Sequence, residues 1–150
     1  MSGLPKKVLF VCTGNACRSV MGEYLLRQLA GARGLDIETK SCGVAAEHYF
    51  QVPEGVLRAL SEQGINEVAH SPKLVTRELL DWADLVLVMA QCHREEVLDR
   101  FPEFRKKVQV FKTYAGRPGP ADVPDPIGGP DTGYAACAAE IRAALQAWLV

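Results

Sequence analysis

Short apolar runs alternate with segments of helical spacing along almost the whole chain. The first run, Lys7 to Val11, holds two valines, a leucine and a phenylalanine in succession, which is typical of a strand buried on both faces of a parallel sheet. Apolar residues then recur at helical spacing from Met21 to Leu29, and Gly34 supplies a stop. The pattern predicts an α/β domain with a parallel sheet and right-handed crossovers.

The same alternation continues towards residue 150. Further strands are predicted at 37–41, 85–89 and 108–111, and further helices at 53–63, 77–82, 91–101 and 134–149. Ser19 is predicted to be the N-cap of the first helix. The segment 115–133 has five prolines and five glycines and is predicted to be one long loop, a type of segment that is often functional inside a compact domain.

Composition limits the function classes. The 150 residues include 17 Lys plus Arg and 18 Asp plus Glu, and 48% of them are hydrophobic, so we predict one globular domain spanning 1–150 rather than a disordered chain. A net charge of −1 provides no basic surface for nucleic acid. The apolar runs are too short to cross a membrane, and residues 1–7 do not resemble a secretory signal. We therefore expect a cytoplasmic protein with neither nucleic-acid nor membrane partners.

The segment between the first strand and the first helix carries the chemistry. Cys12 and Arg18 are six positions apart, so a loop wrapped around an anion can direct the backbone N–H groups of 13–18 inward, beside the positive end of the helix. Gly14 and Asn15 tolerate the positive φ that such a loop requires. Arg18 offers a planar fork to two phosphate oxygens. The same positive surroundings favour the thiolate form of Cys12, which we predict to be a nucleophile.

Other interpretations of these residues are weaker. A single cysteine at a strand end is usually a small buried hydrophobe, but Arg18 in this spacing argues against that. A zinc site built from Cys12 and Cys17, with Cys42 or Cys92 and His93 as further ligands, lacks a second tight pair. The glycine patterns of dinucleotide and nucleotide loops are absent. We therefore expect neither a metal nor a cofactor, and interpret Cys42, Cys92 and Cys137 as packing residues.

Two motifs together resemble a known family. Val11 to Ser19, with Asp125-Pro126-Ile127-Gly128-Gly129 far downstream, is similar to the low-molecular-weight protein-tyrosine-phosphatases, and the resemblance extends through nearly the whole chain. It implies a three-layer, flavodoxin-like fold with a four-stranded parallel sheet flanked by helices, and Cys12 at the carboxyl edge of a central strand.

The resemblance also implies roles for individual residues. Cys12 would attack phosphorus, Arg18 would bind the phosphoryl oxygens, and Asp125 would be the general acid, with Asp122 the nearest competitor. The phosphoryl group, or free inorganic phosphate, would bind to a loop formed by Thr13, Gly14, Asn15, Ala16, Cys17 and Arg18. Supporting hydrogen bonds beneath this loop would come from Asn15, Ser19, Ser41 and His70. Cys17 could form a protective disulfide with Cys12.

The substrate remains open between phosphotyrosine and phosphoarginine in proteins. Tyrosine phosphatases of the family commonly carry aromatic residues after the Asp-Pro pair, where this chain has Ile127 and Gly128, so an aromatic wall would have to come from Tyr49 or Phe50. Thr13 directly after the nucleophile resembles the protein-arginine-phosphatase branch. A thiol-linked arsenate reductase would need a nearby pair of shuttle cysteines, and a non-catalytic phosphate-binding module would need neither Cys12 nor Asp125.

Overall fold

The computed structural model of the protein describes residues 3–150. Four strands, six α-helices and a 3-10 turn at Pro102–Phe104 are found in this range. The strands are β1 (Lys7–Cys12), β2 (Glu38–Gly43), β3 (Leu85–Val88) and β4 (Val108–Val110). The helices are α1 (Arg18–Ala32), α2 (Glu54–Glu62), α3 (Arg77–Trp82), α4 (Gln91–Arg100), α5 (Phe111–Tyr114) and α6 (Asp131–Trp148).

The strands form one parallel sheet in the order β2-β1-β3-β4. The predicted α/β fold with four parallel strands is therefore confirmed. β1 is a central strand, with β2 on one side of it and β3 on the other. The order of the strands therefore reverses at β1: the chain passes from β1 to β2 on one side and then crosses to β3 on the other. Open α/β sheets bind ligands at such a switch point, beyond the carboxyl ends of the strands. Cys12 is the last residue of β1 and lies at this edge.

The alternating side chains of the strands divide the core between the two faces of the sheet. Val8, Phe10 and Cys12 belong to a buried cluster with residues of α1, α2 and α6, whereas Leu9 and Val11 belong to a second cluster with residues of α3 and α4. Both faces are thus covered by helices, which explains the continuous apolar run in β1. No helix within residues 3–150 is long and apolar enough to cross a membrane.

Three local predictions were wrong. Phe111 was expected to end the last strand, but it begins α5, and its ring packs edge-on against Phe10 with centroids 5.9 Å apart. Ser19 was expected to cap α1, but it is the second residue of the helix, with Cys17 at the N-cap position. α6 begins at Asp131 rather than at Tyr134. A tertiary contact outweighs the local sequence signal at Phe111, and the conformation of the preceding loop does so at Ser19.

Candidate active site

The segment from Cys12 to Arg18 lines a small pocket at the carboxyl edge of the sheet. The pocket has a volume of about 190 Å³. It is lined by Cys12, Thr13, Gly14, Ala16, Cys17, Arg18, Phe50, Asp125 and Ile127. The thiol of Cys12 is buried, and its Sγ lies 3.0 Å from Ser19 Oγ. The structure thus brings together the three residues that the sequence analysis proposed for catalysis, although they come from two distant parts of the chain.

Arg18 is held from several sides. Its Nη1 donates to the carbonyl of Val123 at 3.0 Å, and its Nη2 lies 3.6 Å from Asp125 Oδ2 and 3.5 Å from Thr13 Oγ1. The residue is 7% exposed, so its guanidinium is largely desolvated, and its interaction with an anion in the pocket is strengthened accordingly.

Asn15 holds the loop in its unusual conformation. Its φ is +55°, a left-handed value that few residues other than glycine adopt. Its fully buried amide Nδ2 donates to Ser19 Oγ at 2.9 Å and to Ser41 Oγ at 3.0 Å. Its Oδ1 accepts from the backbone N–H of Lys73 at 3.0 Å. These bonds link the loop to α1, to β2 and to the segment before α3, and they offset the strain of the backbone.

His70 and Glu23 complete this network. His70 Nε2 donates to the backbone carbonyl of Asn15 at 2.9 Å and lies 3.1 Å from Asn15 Oδ1, and its side chain is only 3% exposed. Burial lowers the pKa of His70, against the opposing effect of its bond to Asn15. Glu23 accepts a hydrogen bond from Ser41 Oγ at 2.6 Å. Sequence reasoning missed Glu23, although its position four residues after Ser19 on α1 places both on one helix face.

Gly43 permits a close approach between the loop and β2. A Cβ at this position would lie 2.4 Å from the carbonyl oxygen of Thr13 and 2.9 Å from the backbone nitrogen of Asn15. Both are backbone atoms of the loop and cannot move aside cheaply. Glycine at the end of β2 is therefore required for the loop to pack where it does.

Asp125 reaches the pocket from the long loop before α6. Its Oδ1 accepts a hydrogen bond from the backbone N–H of Ile127 at 3.1 Å, and its side chain is 46% exposed. Asp122, the competing carboxylate, accepts instead from the backbone N–H of Gln91 at the start of α4. The structure therefore separates the two aspartates: Asp125 lines the pocket and Asp122 fastens the loop to α4.

An aromatic wall comes from the segment before α2. Phe50 lines the pocket, and the ring of Tyr49 packs edge-on against it at 5.2 Å between centroids. Tyr49 itself is 67% exposed. Of the two residues proposed from the sequence, Phe50 therefore faces the reacting groups and Tyr49 supports it from outside.

The cysteines differ in their surroundings. Cys42 and Cys137 are buried, as expected for packing residues, but Cys92 is exposed on α4, so its interpretation as a packing residue was wrong. The neighbouring Cys137 of α6 has the largest effect on Cys17 and, followed by burial, raises its pKa. Among residues 3–150, no group of three or more His, Cys, Asp or Glu side chains is placed to hold a metal ion.

His93 is a site residue that sequence reasoning considered only as a zinc ligand. It is the third residue of α4 and is 1% exposed, and its Nε2 lies 2.9 Å from Thr13 Oγ1. Burial, assisted by the charge of Arg18, lowers the pKa of His93 to about 4, against the opposing effects of Asp122 and Asp125. His93 follows shortly after the end of β3, and β3 is the neighbour of β1 in the sheet. This position could have indicated a role for His93, because the carboxyl ends of neighbouring strands contribute to one site.

The pKa of His93 predicts a pH-dependent stability. The unfolded imidazole takes up a proton below its ordinary pKa of 6.5, whereas the folded one does so only near 4. The contribution of His93 to the free energy of unfolding is therefore greatest above pH 6.5, and it is lost as the pH is lowered from 6.5 to 4. The loss reaches about 3 kcal/mol, at roughly 1.4 kcal/mol for each pKa unit. Denaturant titrations between about pH 7 and about pH 4.5 check this.

His93→Gln is expected to reduce this dependence, because glutamine does not titrate and only His70, whose pKa burial also lowers, still contributes in the same direction. His48→Gln, at an exposed histidine, is the matched control and is expected to keep the wild-type dependence. Equal pH dependence in the wild type and in His93→Gln would contradict the prediction.

Comparison with known proteins agrees with this geometry. A model of the family described as low molecular weight phosphotyrosine protein phosphatase matches residues 7–150. The chain belongs to this family. It is a cysteine-dependent phosphatase of a family that acts on phosphorylated proteins.

Three relatives illustrate the range of this family. The chain is 39% identical to a protein-arginine-phosphatase of Geobacillus stearothermophilus, over 93% of this chain and 90% of that one. A crystal structure of a low molecular weight protein tyrosine phosphatase from T. tengcongensis has a TM-score of 0.90 at 37% identity, with 95% and 97% of the chains covered. A mutant of the YwlE arginine phosphatase with a phosphorylated active-site serine has a TM-score of 0.88 at 35% identity, with 94% and 91% covered.

Proposed function

We propose that this protein, as a single domain, removes the phosphoryl group from phosphotyrosine in proteins through a cysteinyl-phosphate intermediate. The observation that carries the proposal is the convergence of Cys12, Arg18 and Asp125 on one pocket at the switch point of the sheet. A thiol, a desolvated guanidinium and a carboxyl group are the nucleophile, the oxyanion ligand and the proton donor that such a reaction needs.

In the first step the Cys12 thiolate attacks phosphorus and the bond to the phenolic oxygen breaks. Asp125 donates its proton to that oxygen as it leaves, so that no free phenolate is released. Arg18 and the N–H groups of residues 13–18, at the start of α1, bind the other phosphoryl oxygens.

In the second step water attacks the phosphorus of the intermediate and the sulfur–phosphorus bond breaks. Asp125, now ionised, takes a proton from that water, and inorganic phosphate is released. Ser19 Oγ, at 3.0 Å from Cys12 Sγ, is suitably positioned to donate to the thiolate as it leaves.

Phosphoarginine is the second candidate substrate. It is favoured by the hydroxyl of Thr13 at the pocket and by the similarity to a protein-arginine-phosphatase, at 39% identity. Phe50 does not separate the two candidates, because an aromatic face accommodates either a phenyl ring or a planar guanidinium.

The test is a comparison of kcat/KM on two peptides of one sequence, carrying either phosphotyrosine or phosphoarginine. The proposed function predicts the higher value for phosphotyrosine, and Phe50→Ala is expected to lower it about 3- to 10-fold because an aromatic contact is lost. Tyr49→Phe, which lies outside the pocket and keeps the ring that packs against Phe50, is the control. A higher kcat/KM for phosphoarginine would replace the first candidate by the second, and turnover of neither peptide would refute both.

We also propose that mild oxidation links Cys12 to Cys17. Peroxide converts the Cys12 thiolate to a sulfenic acid, which condenses with the Cys17 thiol to give a disulfide and water. We expect peptide mass mapping after dilute peroxide to find this disulfide, and dithiothreitol to restore activity. A sulfinic acid at Cys12 with Cys17 still reduced would contradict the proposal.

The five cysteines are all unpaired, which is in keeping with a protein of the reducing cytoplasm.

A further inference from the structure

A buried histidine outside the proposed catalytic groups touches the phosphate loop. His93 reaches Thr13 from α4, with 2.9 Å between Nε2 and Oγ1. Thr13 Oγ1 also lies 3.5 Å from Arg18 Nη2. The threonine hydroxyl is thus shared between an imidazole and the guanidinium of the pocket, and the positions of the protons in this chain decide what Thr13 can offer a substrate.

The environment of the other ring nitrogen indicates the tautomer. His93 Nδ1 is buried and has no hydrogen-bond partner within residues 3–150. A proton on Nδ1 would leave a buried N–H unsatisfied, and orphaned N–H groups are rarer in proteins than orphaned acceptors. Burial also keeps the ring neutral near pH 7, because it lowers the pKa of His93 to about 4. The neutral ring therefore carries its single proton on Nε2.

This tautomer makes Thr13 Oγ1 an acceptor from two directions. The Nε2–H of His93 donates to it, and the guanidinium of Arg18, which has no acceptor atoms, can only donate as well. The hydroxyl hydrogen of Thr13 must then point away from both groups. Thr13 is exposed and lines the pocket, so the mouth of the pocket is the direction that remains.

We propose that His93 is a positioning residue, whose Nε2–H orients the Thr13 hydroxyl so that it donates a hydrogen bond to an oxygen of the bound phosphoryl group. The identity of that ligand rests on the proposed function. Thr13 then contributes a side-chain donor in addition to its backbone N–H, and α4 takes part in the site through a residue that does not touch the phosphoryl group.

The first test measures the tautomer directly. ¹⁵N chemical shifts of the imidazole ring distinguish a protonated from an unprotonated nitrogen, and the experiment uses the wild-type protein near pH 7 with inorganic phosphate added. We expect Nε2 of His93 to be protonated and Nδ1 to be bare. A proton on Nδ1, or on both nitrogens, would overturn the proposal.

The second test measures the dissociation constant of inorganic phosphate in a set of variants. Thr13→Val and His93→Leu are each expected to weaken phosphate binding about 10-fold, the effect of one lost hydrogen bond. Thr13→Ser and His93→Gln, which keep a hydroxyl and an N–H donor, are expected to stay within about 3-fold of the wild type. The double variant Thr13→Val with His93→Leu should bind no more weakly than either single variant, because both changes remove the same bond.

These outcomes separate positioning from a structural role. Effects that add in the double variant, or phosphate binding unchanged in Thr13→Val, would overturn the proposal. If His93→Leu does not fold, His93→Gln, the two Thr13 variants and the ring shifts still decide it. None of these measurements needs turnover, so an inactive wild type that shows the expected tautomer and binding would refute the proposed function alone.

Discussion

Replacing Cys12 with serine is expected to lower kcat at least about 10⁴-fold. A serine hydroxyl is hardly ionised near neutral pH and is a much weaker nucleophile than a thiolate. The variant should still bind inorganic phosphate, because Arg18 and the loop amides remain in place. The measurements are initial rates on p-nitrophenyl phosphate together with phosphate binding by calorimetry.

Cys92→Ser is the matched control for this change. Cys92 is exposed on α4 and plays no part in the proposed reaction, so this variant should retain wild-type kcat. Retention of activity in Cys12→Ser, or an equal loss in Cys92→Ser, would contradict the assignment of the nucleophile.

Asp125→Asn is expected to lower kcat about 10²- to 10⁴-fold, because the leaving oxygen no longer receives a proton. The loss should depend on the leaving group. A nitrophenolate leaves readily without a proton and should be affected least, whereas an alkoxide or an unsubstituted phenolate should be affected most. A series of aryl phosphates therefore gives a steeper dependence of log kcat on leaving-group pKa in the variant than in the wild type.

Asp122→Asn is the control for the general acid. Asp122 lies on the same loop but is bonded to the start of α4, so its replacement should change kcat by less than about 3-fold. A larger loss in Asp122→Asn than in Asp125→Asn, or an equal slope in the leaving-group series, would contradict the role proposed for Asp125.

Much of the fold and part of the site could be predicted from the sequence. Buried parallel strands produce continuous apolar runs, and the loop from Cys12 to Arg18 keeps its donors close together along the chain, so both leave a local signal. Phe111 was assigned wrongly because an apolar β-favouring residue at the end of a strand looks the same as one that starts a buried helical turn. Its contact with Phe10 depends on how α5 folds back against the sheet.

The contacts that sequence reasoning missed join segments that are distant along the chain. Thr13 and His93 are 80 residues apart, and they meet only because β1 and β3 are neighbours in the sheet. The proximity of Cys17 and Cys137, which raises the pKa of Cys17, likewise depends on how α6 packs against the start of α1. The spacing of residues within one helix or strand predicts which of them share a face. Which faces then pack against each other depends on the strand order and on how the helices pack, and local spacing does not predict these.

The cysteinyl-phosphate intermediate tests the central claim most directly. Rapid acid quenching of the Asp125→Asn variant during turnover, followed by peptide mass spectrometry, is suited to this because the variant also lacks the base that activates water for the second step. We predict one phosphoryl group on the peptide that contains Cys12, at a level that falls as substrate is exhausted. Turnover with no phosphorylated peptide, or a phosphoryl group on another residue, would contradict the account.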